Sequence, residues 1–263
     1  MTDVSDPGGL PPANDVTAAI LVIGDEILSG RTKDRNIGTI ADHLTAIGIS
    51  LREARIVSDD EPEIIAALDA LRSRYDYVFT TGGIGPTHDD ITADAVAKAF
   101  GVSIDVDPRA LAMLRERLSE ADLTPARLRM ARIPDGADLI DNPVSRAPGF
   151  LIGNVIVMAG VPRIMEAMLA SVTPQLRTGA KMMSVSLHVD APEGTIAPHL
   201  SETQGAYPDV KMGSYPYFGE TRPGVYLVLR AVDADRLETA CRALEARLGA
   251  ADLPHERKSP ENA

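Results

Sequence analysis

The stretch Thr80-Thr81-Gly82-Gly83-Ile84-Gly85-Pro86-Thr87-His88-Asp89-Asp90-Ile91-Thr92 concentrates groups able to do chemistry. Gly82, Gly83 and Gly85 leave the main chain bare, so its N–H groups can approach a ligand, and a helix starting behind them would add its positive dipole end. Phosphate is the guest such a loop suits. No Gly-Lys-Ser/Thr closes it as in a Walker A motif, and His88 stands where a dinucleotide fingerprint needs its third glycine. Asp90 would repel a phosphate unless a cation lay between them. Magnesium fits that need, since it binds through one or two carboxylates and the phosphates of the substrate itself. The plainer role for one of Asp89 and Asp90 is a helix-start carboxylate on the dipole, and for Thr92 an N-cap.

These residues must be held by alternating strands and helices. Ala18 to Ile23 is a continuous apolar run, as in a parallel strand buried on both faces. Ile37, Ile40, Ala41, Leu44 and Ile47 recur at helical spacing up to Gly48, Leu51 to Val57 reads as a strand, and Ile64, Ile65, Leu68 and Leu71 line a helix that Pro62 can open. Tyr77-Val78-Phe79 with its flanking threonines is a third strand, and the helix through Val96, Ala97 and Phe100 stops at Gly101. This βαβαβα order predicts a helix-covered, mostly parallel sheet. Leu111, Leu114 and Leu118 predict a further helix, Val155 to Met158 a strand, and Met165, Met168, Leu169, Val172 and Leu176 a long closing helix. The expected fold is a three-layer αβα domain over 18–178, after a mobile tail at 1–17.

In an open parallel sheet, ligands sit outside the carboxyl ends of the strands. Here those ends lead into Gly24-Asp25-Glu26, into Ser58-Asp59-Asp60-Glu61 and into the glycine loop, so acidic residues gather beside a phosphate-shaped cradle. Asp59 and Asp60 are equally suited to starting the helix that follows. Ser29-Gly30 and Asp34-Arg35-Asn36 could place polar groups over the ligand, or simply turn and cap a helix. Arg31, Lys33 and Arg35 are the nearest basic residues; a solvated charged loop is their commoner fate. His88 reads as a phosphate donor or a solvated loop residue, and His43, His188, His199 and His255 show no metal-ligand spacing, so no zinc is expected.

From residue 179 the pattern changes. Strands at Met183 to Val189 and Gly224 to Val232, a helix near Thr195 to Thr203 and another on Leu237, Ala240, Cys241, Leu244 and Leu248 predict a small ferredoxin-like α+β domain over 179–250, with a fraying tail at 251–263. Gly213-Ser214-Tyr215-Pro216-Tyr217-Phe218-Gly219 gathers aromatic residues in an aromatic-poor chain. It reads as a hairpin edge packed on its own core, or else as a platform for a planar heterocycle. A length of 263 residues accommodates both domains. The formal charge of −12 argues against a nucleic-acid partner, the absence of a long apolar stretch argues against a membrane partner, and the single Cys241 fits a reducing cytoplasm.

The glycine loop, the earlier Gly24-Asp25-Glu26-Ile27-Leu28-Ser29-Gly30, and Asn142-Pro143, Ala147-Pro148-Gly149-Phe150, Gly160-Val161-Pro162, Ile196-Ala197-Pro198 and Gly213-Ser214-Tyr215-Pro216 together resemble the MoaB/Mog molybdopterin-binding domain family. The likeness is nearer to its CinA-type branch, the N-terminal part of competence/damage-inducible protein A and of eukaryotic FAD synthase. It runs over residues 18 to 248. Mog-type members bind and adenylylate molybdopterin through two aspartates, and Asp59 and Asp90 look like those positions. CinA-type members imply metal-dependent cleavage of a nucleotide pyrophosphate such as ADP-ribose, and the FAD synthase domain implies FAD hydrolysis. The resemblance thus implies a cation (Mg²⁺, Co²⁺ or Ni²⁺) on Asp59 and Asp90. A nucleotide or pterin ligand would meet Gly24, Asp25, Glu26, Thr81, Gly82, Gly83, Gly85, Pro86, Thr87 and Thr92, in a homo-oligomer. Departures are Ser145-Arg146 where relatives carry Gly-Thr, and Met158-Ala159 ahead of Gly160-Val161-Pro162 where they carry Leu-Pro. No counterpart of the nicotinamide-mononucleotide deamidase or FAD synthase catalytic domains is recognised, so neither activity is expected of these residues.

Overall fold

The computed structural model describes residues 15–218 and 223–258. The chain divides into two compact units, Met1–Gly179 and Ala180–Ala263. In the first, the element order is β1 (Val16–Ile23), α1 (Asp25–Leu28), α2 (Asn36–Ala46), β2 (Ile49–Val57), α3 (Glu61–Arg72), β3 (Tyr77–Thr81) and α4 (Thr92–Phe100). There follow β4 (Ile104–Val106), α5 (Pro108–Arg115), α6 (Pro125–Leu128), β5 (Arg132–Pro134), β6 (Asp138–Ile140), β7 (Gly149–Ile152), β8 (Val155–Met158) and α7 (Pro162–Val172). Six strands form one sheet in the order β2-β1-β3-β8-β7-β6. β2, β1, β3 and β8 are parallel neighbours, and β7 runs antiparallel to both β8 and β6.

Strand alternation explains the three layers. Along β1, Ala19, Leu21 and Ile23 pack under α3 and α4 on one face, and Ala18, Ile20 and Val22 pack with α2 and α7 on the other. A strand covered on both faces has no place for a polar side chain, which is why its run is continuously apolar. The αβα architecture is the expected one.

Several boundaries differ from the sequence reading. β1 starts inside the expected N-terminal tail: Val16 pairs with Ile49, and the Thr17 N–H and hydroxyl both donate to Asp76 Oδ2 at 2.8 Å. The rest of that tail, 1–14, lies outside the described residues. The closing helix ends at Val172 rather than Leu176, because Pro174 has no N–H to continue the helical ladder and a tight 3₁₀ turn over Thr173–Gln175 replaces it. Asp60, not Asp59, caps α3 by accepting the Glu63 N–H at 3.3 Å, with Pro62 in the first turn. Asp60→Ala is therefore expected to cost ~1 kcal/mol of stability, read as a lower urea midpoint, without disturbing the neighbouring site.

The second unit contains β9 (Met183–Val189), α8 (Glu193–Ala206), β10 (Lys211–Phe218), β11 (Pro223–Ala231), α9 (Ala234–Ala250) and β12 (His255–Lys258). Its antiparallel sheet has the order β10-β11-β9-β12, the ferredoxin-like βαββαβ arrangement. Leu187, Val189, Val225, Leu227 and Leu229 pack with Leu237, Cys241, Leu244 and Leu248 of α9. Two expectations change. The stretch after Ala251 is not wholly a fraying tail, since β12 pairs with β9; backbone pairing ignores side-chain polarity, and Arg257 adds ion pairs to Glu238 at 2.9 Å and Glu245 at 2.6 Å. Residues 259–263 lie outside the described residues. Nor do Tyr215 and Tyr217 pack into the core: they alternate with Met212, which does. Among the described residues no helix is long and apolar enough to cross a membrane.

Candidate functional site

Three loops meet where β1, β3 and β8 end. Gly82 donates its N–H to Met158 O at 3.2 Å, and a Cβ on Gly160 would lie 3.3 Å from Gly82 Cα, so the loop after β8 rests directly on the glycine loop. Asn36, at the start of α2 and buried, ties a fourth segment in by donating from Nδ2 to Gly160 O at 2.8 Å. On the other side, Gly24 donates to Val57 O at 3.1 Å, bringing the loops after β1 and β2 together.

Gly82 and Gly83 adopt φ of +104° and +66°, conformations that side chains rarely allow. The chain thereby folds back over the start of α4, where Thr92 donates its N–H to Gly83 O at 3.0 Å and its hydroxyl to Gly82 O at 2.9 Å. Thr92 is thus not the expected N-cap. It is the first residue of α4, Ile91 holds the cap position, and the buried threonine hydroxyl satisfies a loop carbonyl. Thr81 is buried as well. Thr92, expected as a ligand contact, ties the loop from behind, whereas the Thr81 hydroxyl, expected in the same role, is buried without a protein partner. Pro86 and Thr87 are exposed, as is His88, whose side chain is 99% exposed. Among the described residues the N–H groups of Gly83, Ile84 and Gly85 donate to no protein acceptor. Three consecutive unpaired donors form a concavity able to receive an anion.

The carboxylates fall into two groups. Asp59 accepts the Asp25 N–H at 2.9 Å. Desolvation pushes its carboxyl up from the ordinary value and outweighs that hydrogen bond, and the charges of Asp25, Glu26 and Asp89 push the same way. Asp59, Asp25, Glu26 and Asp89 therefore make one acidic neighbourhood. Asp90 faces inward to its own loop: its Oδ2 accepts the Thr87 N–H at 2.8 Å and also the Thr87 hydroxyl, and it lies 2.6 Å from where a Cβ on Gly85 would stand. Sharing a cation with Asp59 would require Asp90 to exchange Thr87 for the metal or to use Oδ1. Among the described residues no three His, Cys, Asp or Glu side chains could hold a metal by themselves. The donor set fits a hard cation held by one or two carboxylates and completed by phosphate oxygens.

One basic residue at the site carried no sequence signal. Gly83, Gly85 and Asp90 line a shallow pocket with Asp94, Arg129 and Arg132. Arg132 is neutralised by a two-pronged pair with Asp94 at 2.8 and 2.6 Å. Arg129 donates from Nη2 to Asp90 O at 3.0 Å and has a buried Nε without a protein partner. It sits in no motif, and only the packing of the segment before β5 against α4 brings it there. The expected basic group, Arg31, Lys33 and Arg35, lies exposed on the loop before α2.

A three-layer αβα unit with a glycine loop of unpaired N–H groups at the carboxyl rim of its sheet is the class of protein these features define. Residues 19–178 match the family model described as a probable molybdopterin binding domain, and 181–256 match the FAD synthase middle domain. The chain belongs to the MoaB/Mog-type molybdopterin-binding domain family, in its CinA-like branch. It is 37% identical over 257 residues to a CinA-like protein of Citrifermentans bemidjiense, covering 93% of this chain and 61% of that protein. A protein of Pyrobaculum arsenaticum is 39% identical over 210 residues, covering 76% of this chain and 79% of its own length. Among solved structures, CinA of Thermoplasma acidophilum is 40% identical with a TM-score of 0.58, covering 62% of this chain and 99% of that one.

Proposed function

We propose that the protein is a divalent-metal-dependent nucleotide pyrophosphatase acting on ADP-ribose or FAD-like substrates. The observation that carries this reading is the run of unpaired N–H groups at Gly83, Ile84 and Gly85 beside the carboxylate neighbourhood of Asp59. Donors alone would suit any anion. Donors facing a rim of Asp25, Glu26, Asp59 and Asp89 suit an anion that arrives with a cation.

When bound, the cation would neutralise phosphate charge and acidify a water molecule. Gly83, Ile84 and Gly85 hold one phosphate of the pyrophosphate, and Arg129 balances charge on its oxygens. Asp59 and Asp90 position the cation, while Gly24, Asp25 and Glu26 border the opposite side. Water attacks phosphorus as the bridging P–O bond breaks; from ADP-ribose the products are AMP and ribose 5-phosphate, and the water's protons pass to product oxygens and solvent.

Incubation with ADP-ribose or FAD and Mg²⁺, Co²⁺ or Ni²⁺ is expected to release AMP, and EDTA to stop it. Absence of AMP with every metal would refute hydrolysis.

The family model favours a second reading, a pterin-binding module without hydrolysis or with adenylyl transfer to molybdopterin. Calorimetry separates the two. Tight pterin binding that needs no metal, with no AMP released, supports the second.

A further inference from the structure

The second unit's sheet covers only one face with helices. On the other, the register places Tyr215, Tyr226, His188 and Glu256 in one row across all four strands. Tyr217 joins them from the next row of β10. His188 and Tyr226 have ring centroids 5.2 Å apart, His188 and Tyr217 5.3 Å, and Tyr217 and Tyr226 5.0 Å. His188 Nε2 and the Tyr217 hydroxyl are hydrogen-bonded, and Asp190 stands 3.5 Å from the same nitrogen.

These rings lie along the sheet. A Cβ on Gly224 would stand 2.4 to 2.7 Å from the Tyr217 ring and hydroxyl, and one on Gly213 would stand 3.3 Å from Tyr215. Two bare glycines thus let two tyrosines lie down over the backbone. Tyr215 remains 51% exposed. A residue merely filling a hairpin would be tucked towards α8 and α9, where Met212 goes.

Charge on the same face is asymmetric. The next row holds Gly213, Val228, Ser186 and Lys258, the last paired with Glu256 at 2.7 Å. Beyond it Lys211 stands directly opposite Arg230, with Ser184 beside them. Directly opposed like charges destabilise a sheet, and neither has a carboxylate partner among the described residues. They lie four residues along β11 from Tyr226, about 13 Å at ~3.3 Å per residue.

We propose that this open sheet face binds a free nucleotide, its base stacked on Tyr226, Tyr215 and His188, its ribose over Val228, and its phosphates on Lys211 and Arg230. Aromatic side chains on a four-stranded sheet offer a stacking platform that accepts a planar base. The two opposed cations demand an anion at the distance a base-to-diphosphate span reaches. A nucleic-acid strand would need basic residues along its whole path, whereas here they stand at one end. This site belongs to the second unit and does not rest on the function proposed for the glycine loop.

Hydrogen–deuterium exchange on the full chain with ADP in EDTA tests it. ADP is expected to protect 184–190, 211–217 and 224–230 saturably, and adenosine or ribose 5-phosphate to bind at least tenfold more weakly. Tyr226→Ala and the exposed-site variant Arg230→Glu are each expected to weaken ADP at least tenfold, with Tyr226→Phe retaining it. The proposal is overturned by an absence of protection in these strands, by equal affinity for ribose 5-phosphate, or by an unchanged ADP affinity in Arg230→Glu. Protection that depends on protein concentration instead of ADP would assign the face to a second copy of the chain. An oligonucleotide binding more than tenfold tighter than ADP would assign it to a strand; either result also overturns it.

Discussion

Gly82→Ala will cost the first unit ~3 kcal/mol or more and remove anion binding at the glycine loop. The added Cβ would stand 2.1 Å from Ile23 O, a main-chain atom at the end of β1, which cannot move aside as a flexible side chain would. Relief requires shifting β1 or pulling Gly82 from its bond to Met158 O, and the φ of +104° is strained for alanine in any case. Gly101→Ala supplies the comparison. That glycine ends α4 at φ +66°, and nothing lies within 4 Å of its would-be Cβ, so only the conformational cost of ~1 kcal/mol applies. Urea midpoints of the two variants measure the difference. Equal losses would show that the loop relaxes freely and that its close packing does not hold its shape.

Asp59→Asn is expected to lower AMP release at least ~100-fold and, at neutral pH, to raise stability. The two effects have one cause. Desolvation, reinforced by Asp25, Glu26 and Asp89, holds the folded-state pKa of Asp59 above its ordinary 3.8, so ionising it costs more in the folded chain than in the unfolded one. Wild-type stability therefore falls as pH rises through the interval from 3.8 to the raised value, and the penalty is fully present at pH 7. Asparagine carries no charge but still accepts the Asp25 N–H through its amide oxygen, so it removes the penalty and keeps the contact. The gain in melting temperature should be present at pH 7 and vanish below pH 3.8, where both states of the wild type are protonated. A carboxylate kept where it costs stability is what a cation-dependent site requires. An Asp59→Asn variant of unchanged activity, or one less stable at pH 7, would refute this account. Asp90→Asn should also lose activity, but without the stability gain, because Asp90 is held by Thr87.

Much of this protein can be read from local sequence. The continuous apolar run of β1, the three glycines of the loop, Pro62 at the start of α3 and Gly101 at the end of α4 each satisfy a backbone requirement that few other residues meet, so their positions locate the elements. The acidic loops at the strand ends follow from topology, since parallel strands send all their carboxyl ends to one rim. Tertiary structure alone decided the rest, because contacts between residues far apart in sequence leave no spacing to read. Asp59 met the Asp25 N–H, 34 positions away, and Thr92 bonded back to Gly82, 10 positions before it. Arg129, 39 positions from Asp90 in the chain, reached it only by packing. In the second unit, composition announced the tyrosines, but the strand register placed them on the open face, with Lys211 and Arg230 at one end.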